Sequence, residues 1–455
     1  MNIINPATEE LIQELAEDNL ATLESTLVKL REGQKAWAKV SLTERLACIV
    51  RFGELIKANV NELAQILTAE TGKPLQQSLN EINGAQNRVD HLKQYAEKWL
   101  ASETLVDSGD THEKIVYEPL GVIANISAWN FPYNVGYNVF LYALVAGNTV
   151  LYKPSEFASL TGKQFEKYLY LAGIPENAFQ CVIGGGDLGQ LILEADLDAY
   201  FFTGSYKTGK HIAQTVAPKM VPVQLELGGK DPLYVRADVP SVKQAAVNAA
   251  EGAFYNNGQS CCAVERIYVA NEIYEEFVEE FTQEVKGYKM GDATSLDTFI
   301  GPLTRDEQLD VLKTQVADAL AKGAKLTTGG KEAERKGYYF EPTVLINVDH
   351  SMLVMKEESF GPIIGIQAVQ NDEEAIDLMK DTEYGLTSAV FSANEEEAYA
   401  VLSQMNTGTA YWNCCDRVSP NLPWSGRKNS GLGSTLSSQG IRAFVQPKAY
   451  HLRQG

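Results

Sequence analysis

Apolar positions recur along this chain with two different spacings. In the first 105 residues they follow helical intervals, and a capping box at Ser41 and Glu44 predicts the start of one helix. From residue 148 onward, short apolar runs typical of strands alternate with amphipathic segments typical of helices. This alternation indicates a parallel sheet covered by helices, so the predicted fold class is α/β. The first series places strands at 149–152, 179–183, 200–202 and 221–225, and helices at 160–171, 188–195 and 207–216.

A second alternating series runs from residue 232 to about 412 and contains the predicted helices 242–255 and 305–322. Two other segments are predicted to be extended. Residues 113–126 place apolar side chains around a Pro-Leu-Gly turn, a pattern typical of a β-hairpin. The tail, residues 440–452, is short and extended, and we expect it to pair with another element or with another subunit.

Length, charge and cysteine usage narrow the class of protein. A chain of 455 residues exceeds one compact core, so two or three structural units are expected. The net charge of −20 argues against a nucleic-acid or anionic membrane partner, although it also serves simple solubility. No apolar run approaches the roughly 20 residues of a membrane helix, and residues 1–15 lack a secretory signal pattern. Neither the six cysteines nor the five histidines have metal-ligand spacing, so we expect no metal site and a cytoplasmic protein.

Two short motifs carry candidate chemistry. The first, Glu226-Leu227-Gly228-Gly229-Lys230, offers a carboxylate beside a glycine turn, and the second, Gly258-Gln259-Ser260-Cys261-Cys262, offers a thiol. A thiolate attacks carbonyl carbon, and a carboxylate can activate water, so reactions of an aldehyde or acyl group are the first hypothesis. Each motif alone also has an ordinary interpretation, because cysteines are commonly buried as small hydrophobes and glycine pairs commonly form turns.

Two glycine-containing segments are candidates for binding a dinucleotide. Residues 184–189 match the Gly-x-Gly-x-x-Gly pattern, but no acidic residue ends a clear second strand at the expected distance, so a plain turn is an equal alternative. The segment 201–205 precedes a predicted helix, whose N-terminus could receive a pyrophosphate. The second segment is therefore the better candidate.

Six motifs in a fixed order make the chain resemble the NAD(P)-dependent aldehyde dehydrogenase superfamily over nearly its whole length. They are Trp129-Asn130-Phe131-Pro132, Lys153-Pro154-Ser155-Glu156, Phe202-Thr203-Gly204-Ser205, Glu226-Leu227-Gly228-Gly229-Lys230, Gly258-Gln259-Ser260-Cys261 and Glu358-Ser359-Phe360-Gly361-Pro362. The resemblance implies a Rossmann-type NAD(P)-binding domain (residues 1–112 and 127–226) and an α/β catalytic domain (residues 227–430). It also implies a small β-arm (residues 113–126 and 431–455) for oligomerisation, as a homodimer or homotetramer.

The resemblance also implies catalytic roles. Cys261 takes the position of the nucleophile that attacks the aldehyde, and its neighbour Cys262 is expected to be a packing residue. The side-chain amide of Asn130 and the backbone N–H of Cys261 would form the oxyanion hole. Glu226 would activate the water that hydrolyses the thioester to the acid. Two alternatives remain open, a CoA-acylating dehydrogenase and a crystallin-like binding or structural protein that has lost catalysis.

For the cofactor, the resemblance assigns a set of binding residues. A carboxylate at Glu156 would accept hydrogen bonds from ribose hydroxyls and repel a 2′-phosphate, which favours NAD and leaves NADP as an alternative. The assigned residues are Trp129, Lys153, Glu156, Gly186, Gly204, Ser205, Leu227, Glu358 and Phe360.

The chain departs from the common family pattern in three places. Val139 stands where a lysine is frequent, and Thr435 stands where a second, proton-relaying carboxylate is frequent. Asn138 replaces the arginine of succinate-semialdehyde enzymes, which suggests a polar, uncharged substrate end, while Arg417 either binds an acid or pairs with a carboxylate such as Asp416. The substrate is thus expected to be a small polar aldehyde or a semialdehyde. The candidate substrate residues are Tyr133, Tyr137, Asn138, Arg417 and Trp424.

Overall fold

Two largely parallel sheets, each covered by helices, form the two halves of the molecule. The computed structural model describes residues 1–454. The strands of this part of the chain are β1 (Asn2–Asn5), β2 (Glu10–Glu14), β3 (Glu103–Ser108), β4 (Thr111–Pro119), β5 (Val122–Ile126), β6 (Thr149–Lys153), β7 (Phe179–Cys181), β8 (Ala199–Thr203), β9 (Val223–Glu226), β10 (Asp231–Val235), β11 (Val264–Ala270), β12 (Lys325–Thr328), β13 (Thr343–Ile346), β14 (Ile363–Val369), β15 (Thr387–Phe391), β16 (Thr409–Trp412), β17 (Gly431–Leu432) and β18 (Val445–Arg453).

Helices connect most of these strands and cover both sheets. They are α1 (Leu20–Trp37), α2 (Leu42–Ala58), α3 (Val60–Thr71), α4 (Leu75–Leu100), α5 (Pro132–Ala146), α6 (Ser159–Leu171), α7 (Gly186–Glu194), α8 (Tyr206–Val216), α9 (Val242–Phe254), α10 (Tyr274–Gly287), α11 (Glu307–Ala321), α12 (Leu353–Lys356), α13 (Asp372–Lys380), α14 (Glu395–Leu402) and α15 (Ser437–Arg442). None of the helices in residues 1–454 combines the length and the apolar character that a membrane crossing requires.

The first half contains a six-stranded sheet in the order β17-β9-β8-β5-β6-β7. All its neighbours are parallel except the antiparallel pair β17 and β9. The strand order changes direction at β5, since β6 and β7 follow on one side and β8 and β9 on the other. Ligands bind outside the carboxyl ends of the strands at such a switch point. The segments after β5, β6, β8 and β9, which hold four of the six motifs, therefore meet at one edge.

The second half contains a seven-stranded sheet in the order β12-β13-β14-β11-β10-β15-β16, parallel except for β12 against β13. Its motif segments lie before strands rather than after them. The Cys261 segment precedes β11, the Glu358 segment precedes β14, and residues 227–230 join β9 directly to β10. The amino edge of this sheet thus faces the carboxyl edge of the first, and the two sheets with their helices confirm the predicted α/β fold class.

The hairpin predicted over residues 113–126 is wrong. Strand β4 pairs with β3 and with the tail strand β18, whereas β5 pairs with β6 and β8 inside the six-stranded sheet. The turn at Gly121, whose φ is +138°, separates a half-buried strand from a strand that is almost wholly buried. Buried parallel strands are continuously apolar, and such a run does not specify its partner. A separate three-stranded sheet of β3, β4 and β18, called the β-arm below, thus shares only part of its residues with the arm predicted at 113–126 and 431–455.

The tail and the N-terminus also differ from the predictions. Residues 431–432 form β17 of the six-stranded sheet, and residues 437–442 form the short helix α15, so only Val445–Arg453 of the tail is extended. Residues 2–14 form an antiparallel pair of strands where helices were expected. The capping box is confirmed, because the Ser41 side chain accepts from the Glu44 backbone N–H and the Glu44 side chain accepts from that of Ser41.

Candidate active site

Two cavities meet at three side chains between the two halves of the molecule. One cavity, of about 260 Å³, lies between α4, α5 and the loop that follows β16. The other, of about 320 Å³, lies along the carboxyl edge of the six-stranded sheet. Asn130, Glu226 and Cys261 line both cavities. A substrate in the first cavity and a ligand in the second would therefore touch at these three residues, which were predicted to be catalytic.

The Cys261 segment is held in a sharp bend between α9 and β11. Gly258 has a φ of +70°, and a Cβ there would lie 2.3 Å from a backbone oxygen, so only glycine fits. The side-chain amide of Asn256 donates to the carbonyl oxygens of Gln259 and Asn130, each at 3.0 Å. These contacts fix the bend against the segment that precedes α5 and leave the Cys261 side chain partly exposed to the cavities.

Asn130 lies next to the nucleophile segment. Its side chain is 4% exposed, and its Nδ2 donates to the carbonyl oxygen of Gln259 at 3.2 Å. The amide is thereby positioned close to Cys261, where its N–H groups can stabilise negative charge on a carbonyl oxygen.

Cys262 is buried beside Cys261 at the wall of the 260 Å³ cavity, and its thiol makes a polar contact. Its thiol donates to Oδ1 of Asp416 at 3.0 Å, and the Ser260 hydroxyl donates to the same oxygen at 3.1 Å. The hydrogen bond with Cys261 and burial raise the pKa of the Cys262 thiol well above its usual value. Burial also raises the pKa of Asp416 to about 6. Because the thiolate is the reactive form, Cys262 is a poor nucleophile and Cys261 is the candidate.

Glu226 ends strand β9 and is buried beside the nucleophile. Burial raises its pKa to about 7, although the hydroxyl of Thr435 donates to the carboxylate and the Arg88 guanidinium favours its charged form. Gln224 makes a longer contact with the same carboxylate, at 3.4 Å. A carboxyl group with a pKa near 7 is suited to act as a general base at neutral pH.

The nine predicted cofactor residues line two adjoining cavities at the carboxyl edge of the six-stranded sheet. A cavity of about 410 Å³ is lined by Lys153, Glu156 and Gly186, and the 320 Å³ cavity by Ser205, Leu227, Glu358 and Phe360, while Trp129 and Gly204 line both. These residues fit a dinucleotide.

The Lys153 Nζ is buried, and among residues 1–454 it donates only to a backbone carbonyl, so its charge is available to a ligand. Added Cβ atoms at Gly185, Gly186 and Gly189 would meet nothing within 4 Å, and Ser205 caps the N-terminus of α8. Helix N-termini of this kind bind phosphate groups.

The loop that carries Glu358 is fixed against the glycine turn after β9. The backbone N–H of Gly229 donates to Oε1 of Glu358 at 3.0 Å, and a Cβ at Gly228 would lie 2.3 Å from the same oxygen. The rings of Trp129 and Phe360 meet edge to face at 5.5 Å. A side chain at Gly228 would therefore displace the Glu358 carboxylate from this turn.

A buried ion pair that the sequence did not indicate supports this loop. The Nζ of Lys230 lies 2.7 Å from Glu265 and donates to the Ser359 hydroxyl at 3.0 Å. The Glu265 carboxylate accepts from the backbone N–H groups of Ser359 at 2.8 Å and Phe360 at 2.9 Å. Lys230 belongs to a recognised motif, but Glu265 is 35 positions away along the chain. The motif therefore marks Lys230 but does not predict that it pairs with Glu265.

A second buried pair supports the Asn130 segment. Lys73 pairs with Glu81, and its Nζ lies 3.8 Å from the centre of the Phe131 ring. The other oxygen of Glu81 accepts from the backbone N–H of Tyr133 at 2.9 Å, at the start of α5. The pair thus ties α4 to the first turn of α5, next to the oxyanion candidate.

The candidate substrate residues divide into two groups. Asn138, Arg417 and Trp424 line the 260 Å³ cavity. Tyr133 and Tyr137 are fully buried and pack edge to face against each other, which corrects their assignment to the cavity. Helix α5 is buried on nearly all sides, so an aromatic residue next to the site in sequence turns into the core.

Arg417 is exposed at the rim of the same cavity. Asp416 accepts from Ser260 and Cys262 rather than pairing with it, and within residues 1–454 no carboxylate oxygen lies within 4.0 Å of the Arg417 guanidinium. A further arginine, Arg88 of α4, which no sequence motif marks, lines the cavity deeper inside.

Comparisons with known proteins agree with this geometry. A family model described as the aldehyde dehydrogenase family matches residues 1–450. Betaine aldehyde dehydrogenase of Bacillus subtilis is 32% identical, over 98% of this chain and 93% of that protein. Succinate-semialdehyde dehydrogenase [NADP(+)] of Deinococcus radiodurans is also 32% identical, with the same coverage.

Solved structures show the same similarity. The aldehyde dehydrogenase KauB from Pseudomonas aeruginosa superposes with a TM-score of 0.97 at 30% identity, over 100% of this chain and 93% of that one. An indole-3-acetaldehyde dehydrogenase solved with NAD+ gives a TM-score of 0.96 at 30% identity and the same coverage.

Proposed function

The chain belongs to the aldehyde dehydrogenase family, and from this premise we propose that it oxidises an aldehyde to the carboxylic acid with NAD(P)+, using Cys261, Asn130 and Glu226. The family makes it an oxidoreductase. The observation that supports the assignment of residues is the position of these three side chains, which line both the substrate-side cavity and the cofactor-side cavity.

In the first step the Cys261 thiolate attacks the aldehyde carbon and forms a carbon–sulfur bond, which gives a thiohemiacetal. The side-chain amide of Asn130, held by Gln259, and the backbone N–H of Cys261 stabilise the negative oxygen. The C=O bond re-forms as the carbon loses a hydride, which leaves a thioester on Cys261; a bound nicotinamide cofactor would supply the acceptor for that hydride. Trp129, Leu227, Glu358 and Phe360 of the adjoining cavity would hold its reactive end beside Cys261.

In the second step Glu226 removes a proton from water, which attacks the thioester and releases the acid and the Cys261 thiolate. A pKa of about 7 leaves a large share of Glu226 ionised at neutral pH and able to accept that proton. The alternative, transfer of the acyl group to CoA, would not need a buried base at this position. A requirement for CoA in turnover would favour the alternative.

The nucleophile assignment is tested with two neighbouring thiols of the same chain. Cys261→Ala is expected to abolish aldehyde oxidation, measured as NADH or NADPH appearance, because the attacking sulfur is lost. Cys262→Ala is the matched control and should keep most of the rate, since Cys262 is a protonated thiol bonded to Asp416. An active Cys261→Ala enzyme with an inactive Cys262→Ala enzyme would show that the wrong cysteine has been assigned.

We propose NAD as the preferred cofactor, with NADP as the alternative. Glu156 lines the outer cofactor cavity next to Lys153, where its carboxylate would favour ribose hydroxyls over a 2′-phosphate. The compared proteins include both kinds, because one structure contains NAD+ and the Deinococcus radiodurans relative is named for NADP(+).

The proposed substrate is a small polar aldehyde or a semialdehyde. The substrate-side cavity supports this, since asparagine side chains and two arginines line it together with the catalytic residues. A homodimer or homotetramer is likewise proposed, through the sheet of β3, β4 and β18, and the cytoplasmic location stays a prediction from the sequence.

A further inference from the structure

Arg88 is a buried cation that faces the substrate-side cavity. Its side chain extends from α4, is 4% exposed and lines the cavity together with Cys261 and Glu226. The Nε donates to Oδ1 of Asn138 on α5 at 3.0 Å. Among residues 1–454 this is its one hydrogen bond to the protein, and no carboxylate oxygen lies within 4.0 Å of it.

Three other deeply buried cations near the site, Lys73, Lys230 and Arg266, are satisfied by the protein. Lys73 pairs with Glu81, and Lys230 pairs with Glu265. Arg266, which is fully buried, donates from Nε and both Nη nitrogens to backbone carbonyls, including that of Lys230 at 2.9 Å. Arg88 differs because its Nη nitrogens lack protein acceptors within residues 1–454.

Leaving a buried charge without a partner is costly, so the arrangement calls for an acceptor. Burial lowers the pKa of Arg88 to about 10, and the side chain therefore remains a cation at neutral pH. Asn138 fixes the Nε, which leaves Nη1 and Nη2 as a fork of donors directed by a rigid neighbour. Such a fork matches the two oxygens of a carboxylate.

The acidic groups that line the cavity already have partners. Glu81 pairs with Lys73, Glu226 accepts from Thr435, and Asp416 accepts from Ser260 and Cys262. Glu81 and Glu226 lie near enough to favour the charged form of Arg88, but neither accepts a hydrogen bond from it, so its Nη donors are left for a ligand.

We propose that Arg88 binds the carboxylate at the far end of an aldehyde substrate, so that the cavity selects oxo acids over uncharged aldehydes. The proposal rests on the proposed function, since it assigns the substrate class of that same site. Arg88 holds the acid end by two hydrogen bonds while Cys261 attacks the aldehyde carbon in the same cavity. Asn138 is a positioning residue, because it acts through the Arg88 guanidinium.

The test compares one charged and one uncharged aldehyde of equal chain length. For wild type and Arg88→Gln, kcat/KM is measured with succinate semialdehyde and with butanal. The ratio of the two values should fall roughly ten- to a hundredfold in Arg88→Gln, mainly through a higher KM for the semialdehyde, as expected for losing charge-assisted hydrogen bonds. Arg88→Lys keeps the charge without the fork and should give an intermediate ratio.

Arg51→Gln is the control, because Arg51 lies on α2 outside the cavity. It donates to the Ala172 carbonyl, and it has no carboxylate partner in the part of the chain that the structure describes. It should leave the ratio unchanged. Equal losses for both aldehydes in Arg88→Gln would overturn the proposal and make Arg88 a structural or Glu226-tuning residue. A ratio that falls in Arg417→Gln and not in Arg88→Gln would place the acid site at the rim of the cavity, and this result would also overturn the proposal.

A binding measurement separates this proposal from the proposed function. 4-Hydroxybutyrate, which has the same acid end and no aldehyde, is titrated calorimetrically into wild type, Arg88→Gln and Arg51→Gln. Binding that weakens at least tenfold in Arg88→Gln alone supports the acid site even if no aldehyde is turned over, in which case only the proposed function fails. Turnover of butanal by wild type without preference for the semialdehyde would instead leave the function standing and refute the acid site.

Discussion

The Glu226 carboxylate depends on a hydroxyl where a second acidic side chain is common in the family pattern. The sequence has Thr435 at this position, as a departure from the family pattern. In the structure Thr435 donates to Glu226 directly, while burial raises the pKa of that carboxyl to about 7. The base Glu226 therefore has a neutral hydroxyl donor beside it in place of a second carboxyl group. The hydroxyl favours the charged form of Glu226, whereas a second carboxylate would oppose it.

Thr435→Val is expected to raise the pKa of Glu226 further above its usual value, because the hydrogen bond to the charged form is lost and burial remains. Deacylation needs the carboxylate, so its rate increases with pH through this pKa, and the rising limb should move to higher pH by roughly one to two units. The measurement is the pH dependence of deacylation after acylation of Cys261 by p-nitrophenyl acetate. Thr435→Ser keeps the hydroxyl and should keep the wild-type limb; an unmoved limb in Thr435→Val would rule out this role.

Residues within one motif could be predicted from the sequence, whereas pairs from distant segments could not. The motifs predicted that Asn130, Glu226 and Cys261 are catalytic, and these three residues do line the same two cavities. The contact of Arg88 with Asn138 joins residues 50 positions apart on two helices, and no local pattern marks it. The sequence also did not predict the direction in which a side chain points. Tyr137 was therefore assigned to the cavity although it lies in the core.

At the scale of elements, the turns after parallel strands place the cofactor residues. Lys153 ends β6 and Glu156 begins the short 3-10 turn before α6, with the Ser155 hydroxyl donating to Glu156 at 3.1 Å. The alternation of strands and helices predicted this edge, because parallel strands bring their carboxyl ends together. Strand β5 was misassigned for a different reason, since its partners β6 and β8 are set by the sheet and not by the turn before it.

Glu156→Ser should shift the cofactor preference from NAD towards NADP. The substitution removes a negative charge that would repel a 2′-phosphate and removes hydrogen bonds to ribose hydroxyls, which together correspond to roughly ten- to a hundredfold in relative kcat/KM. The ratio of kcat/KM for the two cofactors is measured at a saturating aldehyde concentration. Glu176→Ser, an exposed carboxylate between α6 and β7, should leave the ratio unaltered. Equal use of both cofactors by wild type would contradict the gating role of Glu156.

At the scale of the whole molecule, the predicted family and the α/β fold are confirmed by a match over residues 1–450 and by a TM-score of 0.97. The two predictions rest on the order of the motifs and on the alternation of strands and helices. These patterns extend along the whole chain, so one misassigned strand does not change either prediction. The β-arm shows the limit of this reasoning. An extended tail was correctly expected to pair, but only the structure shows that β18 pairs with β4 along nine residues of the same chain.

The β-arm is also where the proposed assembly can be tested. Its sheet has the order β18-β4-β3, so β18 and β3 are edge strands with unpaired backbone groups within residues 1–454, and Leu105 and Leu452 on them are 62% and 47% exposed. Such edges are usually covered by another chain or blocked.

We expect light scattering to give two or four times the chain mass of 50.0 kDa. A chain ending at Phe444 should give a smaller assembly, because it lacks β18. Leu105→Glu, which keeps every strand, should weaken the assembly if the truncated chain does not fold. A monomeric wild type, or variants that all keep the wild-type mass, would exclude the arm as the interface.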